Sequence, residues 1–257
     1  MSTAMVAPAQ RDPSKGGIGQ ARMGLGAPDV SVVVPTYNGH DSLRELTLRV
    51  AQTLDRMGLH WELLLIDDAS PDNTMVLGPQ LQETHWRVRY LRLATNVGQH
   101  RATVMGLKLA TGRVVVTMDD DLQQAPESIP RLLSALKPGV QVVIGRFDRS
   151  AHAVWRRAAS RALTWALNQQ PGTQALAITS FKAFTQEAAA SVVARVPEGS
   201  FYLARVIQAT LPGASLVNVS VPHHQRAHGQ SNYGLGYLLR MAGRALRGKV
   251  ASRRPAE

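Results

Sequence analysis

The feature that most constrains this chain is a succession of short β-branched apolar runs, each followed by a stretch with helical periodicity. VSVVVPTY, from Val30, has no polar alternation, which is the pattern of a strand covered on both faces. After it, Leu43, Leu46, Val50, Leu54 and Met57 fall on one stripe of a helix. Ser42 and Glu45 have capping-box spacing at its start, and Gly58 can end it. WELLLID (Trp61 to Asp67) predicts a second strand and VRYLRLA (Val88 to Ala94) a third. A helix is expected from about His100 to Ala110, stopped by Gly112, and RVVVTMD predicts a fourth strand. A helix then begins near Glu127, and QVVIGRF predicts a fifth strand. Alternation at these lengths predicts an α/β fold, a mainly parallel Rossmann-like sheet flanked by helices. Past Phe147 the pattern loosens: a helix near Ala151 to Asn168, a strand-like TSFKAF, more helix, and a strand from Ser215 to Val221.

Residues 1–28 are rich in Gly, Ala, Pro, Ser and Gln and have little to bury, so a disordered tail is expected there. Residues 29–233 read as one folded domain, and 234–257 as a basic amphipathic helix and tail. In that last segment Leu235, Leu238, Leu239, Ala242 and Leu246 face one way and Arg240, Arg244 and Arg247 another. Such a helix suits an anionic membrane surface, or equally a place on the core with its arginines in water. Lys and Arg number 29 against 18 Asp and Glu, a formal charge of +11, which favours a polyanionic partner. With no cysteine, disulfides, thiolate metal sites and cysteine nucleophiles are excluded. No apolar run approaches the roughly 20 residues of a membrane span, and no signal-like segment opens the chain, so the expected location is cytoplasmic.

In a parallel sheet, ligands bind beyond the carboxyl ends of the strands. The polar clusters fall there: Pro35-Thr36-Tyr37-Asn38, Asp67-Asp68, Asn96 and Asp119-Asp120-Asp121. Alternating carboxylates Asp119 and Asp121 offer hard oxygen ligands to Mg²⁺ or Mn²⁺, which would bridge to a diphosphate; the bland alternative is a solvated acidic turn. Side-chain alternation would put those two on one side and Asp120 on the other. Asp67 or Asp68 would hydrogen-bond a nucleoside, with helix capping the competing role for Ser70 to Asn73. His100 reads as a helix-start residue that structures its loop, not as a base. His223, His224 and His228 lack the spacing of a zinc site.

VVVPTYN, LLIDDASPDNT, NVGQHRATVMGLKLATG, VVVTMDDDLQQAPESIP and RAHGQSNY occur in the order and spacing of family 2 glycosyltransferases. The chain resembles, more narrowly, the dolichyl- and undecaprenyl-phosphate glycosyltransferase branch, over about Val30 to Tyr233. That resemblance implies a GT-A catalytic domain across 29–233. It implies that Pro35, Tyr37 and Asp67 or Asp68 hold the nucleoside, and that Asp119, Asp121 and Gln123 hold the metal and donor phosphates. Arg226, with Gly229, Ser231 and Tyr233 in R-x-x-G-x-S-x-Y, would lie on a loop closing over the diphosphate. The chain departs from the family pattern at Gly39 (usually Glu), at Asn232 (often Lys), and at Leu176 and Ala177, where an acidic residue is usual.

Arg157 and Arg161 are an i,i+4 pair, with Arg146 and Arg149 just upstream, and the four could cradle an acceptor phosphate in bidentate fashion; a solvated basic face is the alternative. The expected reaction is inverting transfer of a sugar from a nucleotide diphosphate sugar to a polyprenyl phosphate. The expected setting is the cytoplasmic face of a membrane, with room for a membrane-embedded partner. Asp121 and Arg226 carry the expected catalysis. Asp120 is the fallback base should the acceptor be a glycan or glycolipid hydroxyl. A nucleotidyltransferase would need a Gly-rich phosphate loop, which PTYNGHD does not supply. A nucleic-acid module fits poorly with 5% aromatics and an acidic ligand edge, so no nucleic-acid partner is expected.

Overall fold

The structure, a computed structural model, describes residues 26–147, 179–199 and 201–222. Seven strands make one sheet in the order β3-β2-β1-β4-β6-β5-β7. They are β1 (Val30–Thr36), β2 (Trp61–Asp67), β3 (Val88–Arg92), β4 (Val114–Thr117), β5 (Val142–Phe147), β6 (Lys182–Thr185) and β7 (Leu216–Val221). All run parallel except β6, which is inserted antiparallel between β4 and β5. The described helices are α1 (His40–Arg56), α2 (Thr74–Thr84), α3 (Gln99–Leu109), α4 (Ile129–Ala135), α5 (Gln186–Ala194) and α6 (Leu203–Thr210).

The apolar runs lack alternation because each strand feeds two cores. Val32, Val34, Leu63 and Leu65 pack with Leu43, Leu46, Val50 and Leu54 of α1 and with Leu77 and Leu81 of α2. Val33, Leu64, Ile66 and Val115 face the other way, onto Ala102 and Leu107 of α3 and Ala188 and Val192 of α5. Helix α3 lies so close to β1 that a Cβ on Gly106 would come within 2.2 Å of Val33 Cγ1.

Local details correct the sequence reading. The capping box does not form: the N-cap of α1 is Gly39, and Ser42 Oγ instead donates to the Gly39 carbonyl at 3.2 Å. Met57 lies one residue past the helix and is 40% exposed, so the buried stripe ends at Leu54. Gly58, at φ +65, reverses the chain as expected. Strand β4 stops at Thr117, so Met118 and Asp119 already belong to the loop, and a 3-10 turn at Pro126–Ser128 leads into α4. Residues 1–25, the helix expected near Ala151 to Asn168, the RAHGQSNY segment and the amphipathic C-terminal segment lie outside the described residues.

At the amino-terminal edge of the sheet, Glu62 is 8% exposed and gathers several elements. Its Oε1 accepts from Ser31 Oγ at 2.7 Å and from the Thr111 amide and hydroxyl at 2.8 Å each, while Arg89 donates to Oε2 at 3.0 Å. Ser31 Oγ accepts in turn from the Gly112 amide at 2.8 Å. Burial works to raise the pKa of Glu62, but the hydrogen bonds from Ser31, Thr111 and Arg89 outweigh it and hold the carboxyl below its ordinary range. A group with a depressed folded-state pKa adds stability above its unfolded pKa and loses it as pH falls through the folded value. Glu62→Gln should therefore lower the urea-unfolding free energy at neutral pH by about 2 kcal/mol. The deficit should shrink only as pH falls below the ordinary glutamate range and through the depressed folded-state pKa, where the carboxyl becomes neutral. An unchanged deficit in acid would mean that the carboxylate's shape matters and its charge does not.

Candidate active site

From β1 the chain builds outward through β2 to β3, then returns to place β4 on the other side of β1. That reversal opens a crevice at the carboxyl ends of β1 and β4, the usual ligand position in such sheets. The backbone there is strained. Asn38 (φ 59) and Ala69 (φ 59), each just beyond a strand end, and Leu122 (φ 60), further along the loop after β4, adopt the left-handed conformation. This region costs a residue with a Cβ about 1–2 kcal/mol, and only Asn tolerates it readily. Strain of this kind persists where surrounding contacts over-determine it.

Those contacts begin at β2. Asp67 is fully buried, and its Oδ1 accepts from the Ser70 amide at 2.8 Å. Its Oδ2 accepts from Tyr90 OH at 2.5 Å and Arg92 at 2.9 Å, and Arg92 also donates to the Ser70 carbonyl at 2.9 Å. Burial, then the neighbouring Asp67, push the Tyr90 phenol above its usual range. Asp68, 3% exposed, accepts from the Val97 amide at 2.7 Å and the Gly98 amide at 2.8 Å, fastening the turn that opens α3. Burial raises its pKa, opposed by those two amides, with the Asp67 charge adding to the rise. In this conformation both carboxylates hold loops.

Gln99 of α3 reaches the acidic turn, where its Nε2 donates to Asp119 Oδ1 at 2.5 Å. Oδ2 of Asp119 accepts from Gln124 Nε2 at 2.7 Å and Ser180 Oγ at 2.5 Å, and Gln124 Oε1 accepts from the Asp119 amide at 2.9 Å. The antiparallel register of β4 on β6 pairs Thr117 with Lys182, and two residues further it sets Ser180 opposite Asp119. Lys182 Nζ donates to the Thr179 carbonyl; burial lowers its pKa to about 8, against the pull of Asp119. His100 has its ring 5.1 Å from Tyr202, and burial followed by the Lys182 charge lowers its pKa to about 4, so it is neutral at pH 7. Asp121 Oδ1 accepts from the Gln123 amide at 3.1 Å. Asp120 turns to β1, where its Oδ2 accepts from Thr36 Oγ1 at 2.5 Å. Burial, with Asp119 and Asp121 adding to it, pushes the Asp120 carboxyl up to about 7.

Pro35, Tyr37, Asp67, Asp68, Asp119, Asp120, Asp121 and Gln123 thus all lie at or just beyond the carboxyl ends of β1, β2 and β4; Pro35, Asp67 and Asp68 are buried there and Tyr37 is 40% exposed. Arg146 is exposed at the carboxyl end of β5, separated from β4 by β6. Arg149, Arg157, Arg161, Arg226 and Ser231 lie outside the described residues. Sequence reasoning named Thr36 only as part of a polar cluster and gave no role to Gln99, Gln124 or Ser180, the other neutral donors that orient the acids. The motifs N-V-G-Q-H and D-L-Q-Q contain Gln99 and Gln124, but no periodicity marks either as a partner of Asp119. Among the described residues, no three His, Cys, Asp or Glu side chains converge as a metal cage.

Residues 31–193 match the family model described as Glycosyl transferase family 2. The chain is 34% identical over 217 residues to an undecaprenyl-phosphate 4-deoxy-4-formamido-L-arabinose transferase from Edwardsiella ictaluri, with 82% of this chain and 65% of that protein covered. The Aeromonas hydrophila protein of the same name is 32% identical over 215 residues, again covering 82% of this chain and 65% of its own length. The chain therefore spans slightly under two thirds of the length of these curated relatives. Among solved structures, glucosyl-3-phosphoglycerate synthase from Mycobacterium tuberculosis superposes with a TM-score of 0.66 at 19% identity, covering 93% of this chain and 85% of that one. Its complex with Mn²⁺, UDP and phosphoglyceric acid gives 0.65 at 20% identity, covering 93% and 83%.

The strain is measurable. Ala69→Gly should raise the unfolding free energy by up to about 1 kcal/mol, because glycine adopts the left-handed conformation at no steric cost. A fall in urea-denaturation stability would show that position 69 is not strained.

Proposed function

The chain belongs to glycosyl transferase family 2 and has a GT-A fold, and from that premise we propose that it transfers a sugar from a nucleoside diphosphate to a polyprenyl phosphate. One observation carries the reading: the acidic turn Asp119–Asp121 stands at the switch point of the sheet, beside the exposed Tyr37 ring. The relatives named for transfer to undecaprenyl phosphate supply the acceptor class.

Tyr37 and the Pro35 turn would receive the nucleoside, and Asp119 and Asp121, with Gln123, the donor's diphosphate end through a divalent ion. The donor set fits Mg²⁺ or Mn²⁺, since such ions are held by one or two carboxylates plus substrate phosphates and water, not by an all-protein cage. When bound, the ion would neutralise charge on the departing diphosphate. The solved structures with Mn²⁺ and UDP point the same way. Asp119 is aimed by Gln99, Gln124 and Ser180, all neutral donors. Arg226, Ser231 and the cluster Arg146, Arg149, Arg157 and Arg161 are proposed to meet the donor and acceptor phosphates.

An oxygen of the acceptor phosphate attacks the anomeric carbon from the face opposite the leaving diphosphate, with inversion. A phosphate monoester, whose second pKa is about 6, is already largely ionised at neutral pH, so no strong base is needed. The crevice agrees: Asp120 is bonded to Thr36, and His100 is packed beside Tyr202. With a lipid acceptor, the protein would work at the cytoplasmic face of the membrane; separately, no described helix is long and apolar enough to cross a bilayer.

The test is transfer from radiolabelled UDP- and GDP-sugars to undecaprenyl phosphate in detergent with Mn²⁺ or Mg²⁺. Label should enter the organic phase, disappear with EDTA, and fall at least about 100-fold in Asp121→Asn. Metal-dependent nucleotide binding without labelled lipid would overturn the acceptor and keep the donor. Loss of neither signal in Asp121→Asn would remove the acidic turn from the mechanism.

A further inference from the structure

Thr36 closes β1, and its hydroxyl donates to Asp120 Oδ2 at 2.5 Å. The Tyr37 amide donates to the same carboxyl group. The β1–β4 pairing ends at Val33 opposite Thr117, so the Thr36–Asp120 hydrogen bond is a side-chain contact that joins the two segments beyond the ladder. Gly39 sits directly against it. Its φ of −94 and ψ of 8 suit any residue, so the backbone conformation does not call for glycine. Space does: a Cβ at position 39 would lie 2.2 Å from Thr36 Oγ1 and 2.6 Å from Asp120 Oδ2, the two ends of that hydrogen bond. Neither end can retreat cheaply, since threonine is stiff at χ1 and Asp120 is held by two donors. On its other side the same turn is pinned by the Asn38 amide donating to Ser70 Oγ at 3.0 Å and the His40 amide to Asp72 Oδ2 at 3.4 Å. This clamped turn leaves Tyr37 exposed, together with Asn38 and His40.

We propose that Asp120 is a positioning residue that fastens the Tyr37 turn to the acidic turn, and that position 39 is glycine to leave room for it. The pair sets the spacing between the surface that meets the nucleoside and the carboxylates that meet the diphosphate. The specificity it confers is for a nucleoside diphosphate as a unit, not for either half alone. This consequence for binding rests on the donor reading above; the fastening does not.

Two measurements separate them. Amide hydrogen exchange at Tyr37 reads the fastening without any ligand, and titration with UDP and with GDP, each with Mn²⁺, reads its consequence. Asp120→Ala and Gly39→Ala should each speed exchange at Tyr37 by about 10-fold or more and weaken the better-bound nucleotide by about 10-fold. The double variant should bind no more weakly than Asp120→Ala alone, because two changes that break one contact are not additive. Asp120→Asn, which keeps an acceptor oxygen, should recover most of both signals. Unchanged exchange in either single variant, or additive losses in the double, would overturn the proposal. Faster exchange with unaltered nucleotide affinity would overturn the positioning role. If the unaltered protein binds neither UDP nor GDP, the donor reading falls, and exchange at Tyr37 alone then decides whether Asp120 fastens the turn.

Discussion

Asp67 and Asp68 are adjacent carboxylates buried to 0% and 3% exposure at the end of β2, and the geometry of the site descends from satisfying them. An unpaired charge in such a place costs several kcal/mol, so each must collect partners. Asp67 takes the Ser70 amide, Tyr90 and Arg92, which ties the loop after β2 to β3. Asp68 takes the Val97 and Gly98 amides, which sets where α3 begins. With that start settled, Gln99 in the first turn of α3 falls within reach of Asp119. Ser70, held by Asp67, turns its hydroxyl to the Asn38 amide and so steadies the Tyr37 turn. Both halves of the crevice thus trace back to one dipeptide. Its charge serves to place other groups, and the left-handed Ala69 that follows it shows the backbone yielding to that demand.

Much of the fold was legible in the sequence because a parallel sheet covered on both faces writes continuous apolar strands. β1, β2 and β5 lie close to where VSVVVPTY, WELLLID and QVVIGRF predict them. Helix α2 is harder to see, since Gly78 and Pro79 interrupt it and Met75 and Val76 on its first turn are exposed. The antiparallel insertion of β6 between β4 and β5 is invisible to periodicity, because strand order depends on pairings and not on pattern. In the site, the carboxylates stood out as types and positions. Their neutral partners did not: Gln124 is five residues from Asp119, Gln99 twenty and Ser180 sixty-one. At the acidic turn Asp120 does point away from Asp119, toward Thr36, as side-chain alternation predicts, but a pleat is not the cause. The strand ends at Thr117 and Leu122 turns left-handed, so the directions of Asp119, Asp120 and Asp121 follow their hydrogen bonds and not a pleat.

A chain of net charge +11 nevertheless gathers three consecutive aspartates at its ligand crevice, and that contrast bears on how a diphosphate could bind. Asp119 and Asp121 disfavour ionisation of Asp120, which burial has already made costly, so the turn resists carrying more negative charge. A bare diphosphate brought here would meet repulsion. Neutral amides and hydroxyls orient Asp119, and the nearby cation Lys182 is buried with its ammonium on the Thr179 carbonyl. A divalent ion reconciles the two sets of anions, because it takes oxygen ligands from carboxylate and phosphate alike and is the largest local charge where it binds. Under the proposed function, the acids would be half of a site whose other half arrives with the donor. The same reasoning explains why Asp120 faces inward: a third carboxylate aimed at the ligand would add repulsion, whereas one turned to Thr36 and the Tyr37 amide adds structure.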